Sequence, residues 1–470
     1  MLFLYIFGSI LILLIGFYII WVINVPTVLS YPIQETKEYK ESNTYKQDFL
    51  FYCALLEDTH PNQDFFKSED WRKAKMFCAS TVDTCNNVDD FAVAIQHLSA
   101  SLQDAHTSFL NQFLYYDLNN KNIKFNFLLQ WISDSLRIVE TCNSQKHLLG
   151  KTIKTINGIS LDTLIHRTGE LIGCENKAQK QNKFVRIIHL GNIKLLSQLG
   201  LIIPNEQIVI NDTIVIEQKG KEDLVYFVNE PNSITLKSNQ SIKTHIDSNI
   251  AYLQLNDMAM NPEYAKKEFD NFFNDVAKSN SQHLVIDLRN NGGGNSRIGD
   301  MLLEKIRIKK NDNINNGSVT AKNSRLFRYY FKIPNMMPRF LLNINISIKI
   351  GREEEEKEKF KGKVYFLQGR NTFSAATDLA LFVHDNNLFT TIGEPSSQKP
   401  CSYGDILFFE LPNTKLHGGV SYKYFTRPDK SKCDEDYLYP NVNIPYTFED
   451  FKNGIDPCWE WVLKDIEKHK

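Results

Sequence analysis

No CxxC pair and no HExxH run occurs anywhere in the 470-residue chain. The first absence removes the usual structural zinc knuckle and the second the zincin type of metallopeptidase, so no metal and no other cofactor is expected. Cysteine is scarce, with 8 in 470 residues, too few for a small disulfide-built scaffold. An excess of one charge is also missing: 54 Lys and Arg face 55 Asp and Glu. A nucleic-acid partner normally leaves a basic surplus, so none is expected. With 22 Gly and 15 Pro the chain is not collagen-like or of low complexity, and 42% apolar residues indicate globular cores. At roughly 150 residues per domain the length corresponds to about three domains.

Charge is absent altogether from the opening segment. Met1 to Asn24, MLFLYIFGSILILLIGFYIIWVIN, carries no charged side chain; the first is Glu35 and the first basic one Lys37. About 23 apolar residues rising 1.5 Å each span about 34 Å, enough for a hydrocarbon core. A secretory signal has a basic start and a shorter apolar stretch of about 7–15 residues. Residues 1–24 are therefore expected to be a transmembrane anchor. A cleaved signal and a buried core helix are the alternatives. With no Lys or Arg ahead of the span, the positive-inside rule says little about orientation.

Three regimes follow. Residues 46–118 read as helical, with Phe49, Tyr52, Leu55 and Leu56 and then Phe91, Ile95, Leu98 and Leu102 at helical spacing, and Pro61 ending the first helix. Residues 119–240 switch to strand-like runs: IKFNFLLQWI, SLRIVET, a strand before an Asn157-Gly158 turn, and IVINDTIVIEQ. From about residue 245 to 466 strands and helices alternate, as in a wound α/β layer: IAYLQLND, EYAKKEFDNFFNDVAK, HLVIDLR, NSRIGDMLLEKI, KVYFL and SAATDLALFVHD. Residues 308–362 interrupt the alternation with Asn-rich, basic and Glu-rich runs, and read as an insertion at the rim, with a solvated charge run.

Four short stretches are candidates for chemistry, and each has a plainer alternative. LRNNGGGN, Leu288 to Asn295, joins a buried strand to a helix, and its three glycines let a backbone approach a ligand and expose N–H groups. Without GxGxxG or a following Gly-Lys-Ser/Thr it has no nucleotide signature, and a flexible turn is the alternative. RNTFSAATDLALFV, Arg370 to Val383, puts Ser374 at a helix N-terminus, where a developing anion is favoured; a simple N-cap is the alternative. SLQDAHTSF contains His106, ordinarily a structural or surface histidine at a helix end. GEPSSQKPCSYGD contains Lys399, ordinarily a surface lysine.

Taken in order, these stretches resemble the C-terminal-processing (tail-specific) serine peptidase family. LVIDLRNNGGG, KVYFLQGR leading to TFSAA, GEPSSQKP, the ending NIPYTFEDFKNGIDP, and the HPN and DAHT of the helical part carry the likeness over roughly residues 46–465. LLGKTIKTINGISL looks like the core of a PDZ-like module. The resemblance implies a crotonase-like αβ catalytic domain at 245–466, an N-terminal helical domain at 46–118 and a PDZ-like substrate module at 119–240. It implies a serine endopeptidase acting on protein or peptide substrates; with the apolar segment of residues 1–24, the enzyme is expected to be anchored in a membrane with its catalytic part periplasmic or extracellular. The oligomeric state is left open. Ser374 matches the nucleophile, and the N–H groups of Ala375 and of Gly293 or Gly294 match the oxyanion hole, where such donors are worth roughly 3–4 kcal/mol each.

The family divides over the base. In one branch a lysine serves, and Lys399, 25 positions after Ser374, matches it, although Tyr403 stands where that branch has a supporting Gln. In the tricorn-like branch, which includes retinoid-binding relatives, a histidine of the helical domain serves, and His106 matches it, with Ala105 in place of an assisting Ser. An orienting acid is implied some tens of residues after the nucleophile, at Asp434, Glu435 or Asp436. His106 is the expected base. A histidine near 6.5 is mostly neutral at pH 7.5, whereas a lysine must be lowered by about 3 units, roughly 4 kcal/mol. Gln398, Pro400 and Ser402 do not suggest the dry pocket that such a shift needs. A catalytically silent protein binding apolar ligands, or an envelope scaffold, is the alternative function. Outside the cytoplasm Cys78–Cys85 and Cys401–Cys433 are candidate disulfides, with buried free thiols as the alternative.

Overall fold

The computed structural model describes residues 25–109, 125, 127–201, 208–212, 214–216, 224–226, 240–306, 308, 314–334 and 359–469. The apolar segment of residues 1–24 and most of the Glu-rich run lie outside them. Among the described residues no helix is long and apolar enough to cross a membrane.

Helices α1 (Thr44–Thr59), α2 (Glu69–Val82) and α3 (Val88–Ser101) open the fold. Each starts on a side-chain cap, from Asn43, Ser68 and Asn87 respectively, which accepts a first-turn N–H. α1 ends before Pro61, which cannot continue the helical ladder. Tyr52, Leu55 and Leu56 of α1 and Phe91, Ile95 and Leu98 of α3 are fully buried. α3 stops at Ser101 and Gln103 turns the chain at φ 51, so His106 is carried by a loop and not by the helix end the sequence suggests. That loop is pinned at its far side: Ser108 and Gly419 exchange N–H···O bonds of 3.0 and 3.1 Å.

Strands β1 (Phe127–Ile132) and β2 (Ser135–Cys142) pair antiparallel. Asn157 and Gly158, at φ 48 and 75, turn the short pair Thr155–Ile156 and Ile159–Ser160, as two-residue hairpins require. The β-rich expectation holds only in part here. Two helices follow, α4 (Leu161–Leu171) and α5 (Lys177–Leu190), capped by Ser160 and Asn176. Their apolar residues recur at helical spacing: Leu164, Ile165 and Leu171, then Phe184, Ile187 and Ile188, all buried.

The third part is built on a six-stranded sheet. β3 (Ile242–Asp247) and β4 (Ile250–Leu255) lead through α6 (Pro262–Ser279) to β5 (His283–Asp287) and α7 (Arg297–Glu304). β6 (Ser318–Ala321) and α8 (Arg325–Phe331) precede β7 (Lys363–Gln368), α9 (Ala375–Asp385) and β8 (Thr390–Gly393). β9 (Ser402–Glu410), β10 (His417–Thr426), β11 (Val442–Asn443) and α10 (Pro457–Lys468) complete it. The sheet order is β11-β8-β7-β5-β4-β3, parallel except for β3 against β4. Leu284, Ile286, Val364 and Phe366 face a core shared with α6, α7 and α9, while Val285, Tyr365 and Leu367 face α10. Burial on both faces explains the unbroken apolar runs of β5 and β7.

β6, β10 and β9 form a separate antiparallel sheet. Its Leu407, Phe409, Val420 and Tyr422 belong to the same core as α1 and α3, a core that crosses the expected boundary at 118. The segment expected as a rim insertion is thus woven in at its start: β6 pairs with β10, and Leu326 of α8 is buried in that core. Cys401 and Cys433 are joined, with Cα atoms 5.1 Å apart. The other candidate pair is not formed. Cys78 faces the core from α2, and the Cys85 thiol donates to Thr81 O at 3.3 Å.

Candidate active site

Two parallel neighbours, β5 and β7, end side by side and deliver the glycine loop and Ser374 to one place. At the end of β5, the Arg289 guanidinium bridges Asp287 (2.7 Å) and Asp456 at the start of α10 (2.8 Å). Asn291 shapes the loop: its Nδ2 donates to Leu255 O at 2.9 Å, and its Oδ1 accepts the Gly293 N–H at 2.8 Å. Gly293 (φ 94) lies so close to the other loop that a Cβ there would stand 2.6 Å from Ser374 Cβ. Gly294 (φ 136) packs on the Met258 carbonyl in the same way. Both glycines are required by backbone conformation and by space.

After β7, Thr372 ties the second loop down: its Oγ1 donates to Leu288 O at 2.9 Å and accepts from Gly369 N at 2.9 Å. Ser374 then takes φ 54 and ψ −130, a conformation rarely adopted by a side-chain-bearing residue and costing about 1–3 kcal/mol. Its hydroxyl makes no capping bond to α9, so the simple N-cap alternative is not what the fold builds. The turn instead presents Oγ at the mouth of a cleft of about 570 Å³ lined in part by Gly294, Asp378, Tyr403 and Phe425. The Ser374 N–H donates to Gln398 Oε1, and Gln398 Nε2 to Ser402 Oγ at 2.7 Å. Among the described residues the N–H groups of Gly294 and Ala375 have no acceptor, whereas that of Gly293 is spent on Asn291.

His106 approaches from the helical side. Its Nε2 is 3.2 Å from Ser374 Oγ and its ring stacks on Phe373, centroids 4.9 Å apart. Asp104, fully buried, organises the loop: Oδ1 accepts the His106 backbone N–H at 2.9 Å, and Oδ2 accepts Thr107 Oγ1 at 2.5 Å and His60 Nε2 at 3.3 Å. His60 Nδ1 accepts the Asn62 N–H, so the proton it gives Asp104 is on Nε2. His106 Nδ1 stands 3.7 Å from Asp104 Oδ1, an ion-pair distance and not a hydrogen bond. Glu175, between α4 and α5, is the other acid beside the ring. One donor atom each of Asp104, His106 and Glu175 lies within 4.8 Å of the others, the one group of metal-ligand type among the described residues. Three donors already occupy Asp104, and the nearby serine uses the histidine, so the set is suited to handling a proton.

Burial alone would lower the histidine pKa, but Asp104 and Glu175 outweigh it and hold it above the ordinary value. Burial also works against the Asp104 anion, yet His106 and His60 hold its carboxyl well below the usual range. Glu175 is pushed up to about 7, burial exceeding the opposing pull of His106. Asp378 in the cleft is likewise pushed up to about 7 by burial.

The remaining candidates lie elsewhere. The Lys399 ammonium is 37% exposed and pairs with Asp436 at 3.1 Å; only its backbone N–H reaches inward, to Glu175 Oε2 at 3.0 Å. The acids after the nucleophile are not at the ring. Asp436 holds Lys399, and Glu435 holds the buried Arg427 at 2.6 Å. No hydrogen bond or ion pair joins Asp434 to His106. Sequence reasoning missed Glu175 and Gln398 as site residues. Glu175 lies in a stretch without a motif, and its only signal was a carboxylate just ahead of the Asn176 cap.

The 3.2 Å contact between Ser374 Oγ and His106 Nε2 has the geometry that serine hydrolases use for proton transfer. Residues 249–442 match the model of peptidase family S41. This stretch, with the glycine loop and Ser374, belongs to that family of C-terminal-processing serine peptidases. No curated protein matches the chain in sequence. Among solved structures, the chain is similar in fold to mature CPAF complexed with lactacystin: 13% identity, 90% of this chain and 97% of that chain, TM-score 0.60. Mature CPAF without that ligand gives 12%, 90%, 96% and 0.60. The photosystem II D1 C-terminal processing protease gives 13%, 86%, 94% and 0.45.

Proposed function

We propose that the protein is a serine endopeptidase of protein or peptide substrates, with Ser374 as nucleophile and His106 as general base. The observation that carries this is the 3.2 Å approach of His106 Nε2 to the hydroxyl of a strained Ser374 at a helix N-terminus. Oγ attacks the substrate carbonyl carbon and its proton passes to Nε2. The carbonyl oxygen, now negative, takes the N–H groups of Gly294 and Ala375. The carbon–nitrogen bond breaks, His106 returns the proton to the leaving amine, and water repeats the sequence on the acyl-enzyme. Lys399, already committed to a surface acid, is the weaker candidate for the base.

The finer reading is a tail-specific enzyme with a crotonase-like catalytic layer. A PDZ-like module at 119–240 would hold a substrate C-terminus, supported by the Asn157-Gly158 hairpin followed by α4. Anchoring by residues 1–24, with the rest outside the cytoplasm, is supported by the charge-free sequence and by the Cys401–Cys433 disulfide. The test is labelling by a fluorophosphonate probe together with peptide profiling. Labelling and hydrolysis that vanish in Ser374→Ala support the reading. No labelling of the folded protein, with quenching of tryptophan fluorescence by retinol or a fatty acid, would replace it with the apolar-ligand binder.

A further inference from the structure

We infer that Glu175, contributed by the turn between α4 and α5, positions His106 by accepting the proton on its Nδ1. The inference rests on the serine peptidase reading, and concerns which carboxylate orients the base. For Nε2 to receive the Ser374 proton, Nδ1 must carry the ring hydrogen, and a buried N–H needs an acceptor. His106 Nδ1 is buried with no hydrogen-bond partner among the described residues.

Two acids are near enough to serve. Asp104 is committed: Oδ1 takes the His106 backbone N–H, Oδ2 takes Thr107 and His60, and Nδ1 remains 3.7 Å away. Glu175 is half committed. Its Oε2 takes the Lys399 N–H, but its Oε1 is buried with no partner among the described residues. The same small cluster, in which one donor atom each of Asp104, His106 and Glu175 lies within 4.8 Å of the others, therefore holds one nitrogen without an acceptor and one carboxylate oxygen without a donor. A torsional adjustment of the Glu175 side chain that brought Oε1 to Nδ1 would satisfy both, and such bonds commonly tighten only when substrate is bound.

The surroundings are built to hold Glu175 there. Gly173 packs so tightly on the loop that a Cβ would stand 2.2 Å from Asp104 O. Lys183 Nζ donates to Gly173 O at 2.7 Å and reaches Ala105 O at 3.5 Å, tying the two segments together. The Glu175 N–H donates to Gln179 Oε1 at 2.7 Å, and Asn176 Nδ2 to Asp436 O at 2.9 Å. Apart from His106, Asp104 and Lys183 act most strongly on the carboxyl, and Lys177, Lys180 and Asp436 line the same pocket.

The test compares Glu175→Gln and Glu175→Asp with the unaltered protein and Ser374→Ala, measuring kcat and KM on the best profiled peptide and the rate of fluorophosphonate labelling. Glutamine keeps the shape but presents an N–H to Nδ1 in one orientation and so favours the wrong tautomer. The expected result for Glu175→Gln is a fall of about 10²–10⁴ in kcat and in labelling rate, with KM within about threefold and an unchanged melting temperature. The onset of its residual activity should move to lower pH, since an anion beside His106 has been removed. Glu175→Asp should recover part of the rate. If Glu175→Gln retains kcat and its pH profile within about threefold while Ser374→Ala is inactive, the inference is wrong and the peptidase reading stands. If unaltered protein is neither labelled nor active, both fail.

Discussion

The Cys401–Cys433 bond offers a prediction whose size follows from the fold. It closes a loop spanning a sequence separation of 32 residues. In the chain-entropy model, opening a loop of that size costs about 4 kcal/mol of stability. A chain of 470 residues has an unfolding entropy of order 1 kcal/mol/K near 60 °C, so the melting temperature should fall by about 4 °C. The loss should also reach the site. Cys401 is two residues beyond Lys399, whose N–H holds Glu175, and three beyond Gln398, whose side-chain Oε1 accepts the Ser374 N–H. Weakening one such bond of about 1 kcal/mol slows the chemistry about fivefold. The assay is thermal melting and fluorophosphonate labelling of Cys401→Ser and Cys433→Ser, and of the unaltered protein with and without reductant. The two variants should agree with each other and with the reduced protein. Eight free thiols in the non-reduced protein, or melting curves insensitive to reductant, would refute the reasoning.

His106→Ala should lower kcat/KM by at least about 10²–10⁴, whereas Lys399→Ala, which keeps the backbone N–H, should retain most activity. The reverse ranking in peptide hydrolysis would make this a serine–lysine enzyme. Gly293→Ala forces a Cβ to 2.6 Å from Ser374 Cβ at φ 94. It should cost about 1–3 kcal/mol in denaturant unfolding and abolish labelling. The pH profile follows from the sign of the histidine shift. The neutral ring is the active form, and Asp104 and Glu175 raise its pKa despite burial, so activity should rise with pH through a midpoint above about 6.5. A midpoint below that value would contradict the electrostatics.

Much of the site could be read before the fold because its parts are local and chemically strict. A glycine run can serve only where a Cβ does not fit, and Gly293 and Gly294 sit at such points. His106 was recognisable from its motif, whereas the polar neighbours of Lys399 misled: Gln398 and Ser402 are buried, and Gln398 holds the Ser374 N–H. Glu175 was hidden because nothing in a sequence marks which of many glutamates will be buried, or which of its oxygens will lack a partner. The same limit applied to the acids after the nucleophile, whose spacing suggested a role that Arg427 and Lys399 take up instead. Among the elements, the parallel strands were legible from runs buried on both faces. α4 and α5 were obscured by the β signals flanking them, and the pairing of β6 with β10 depends on contacts more than 100 residues apart.

The bridge between Ser108 and Gly419 has a consequence for the order in which a ribosome makes this chain. His106 and Ser374 are 268 positions apart, and at about 5–20 residues per second roughly 15–50 s separate their synthesis. The histidine loop then still lacks its last fastenings, since Gly419 and the Ser421 N–H that holds Thr107 come later again. A nascent chain therefore carries Ser374 before the His106 loop is locked in place. On the peptidase reading, hydrolytic capacity arises only once Ser421 has been added, which protects the growing polypeptide and its neighbours until that point.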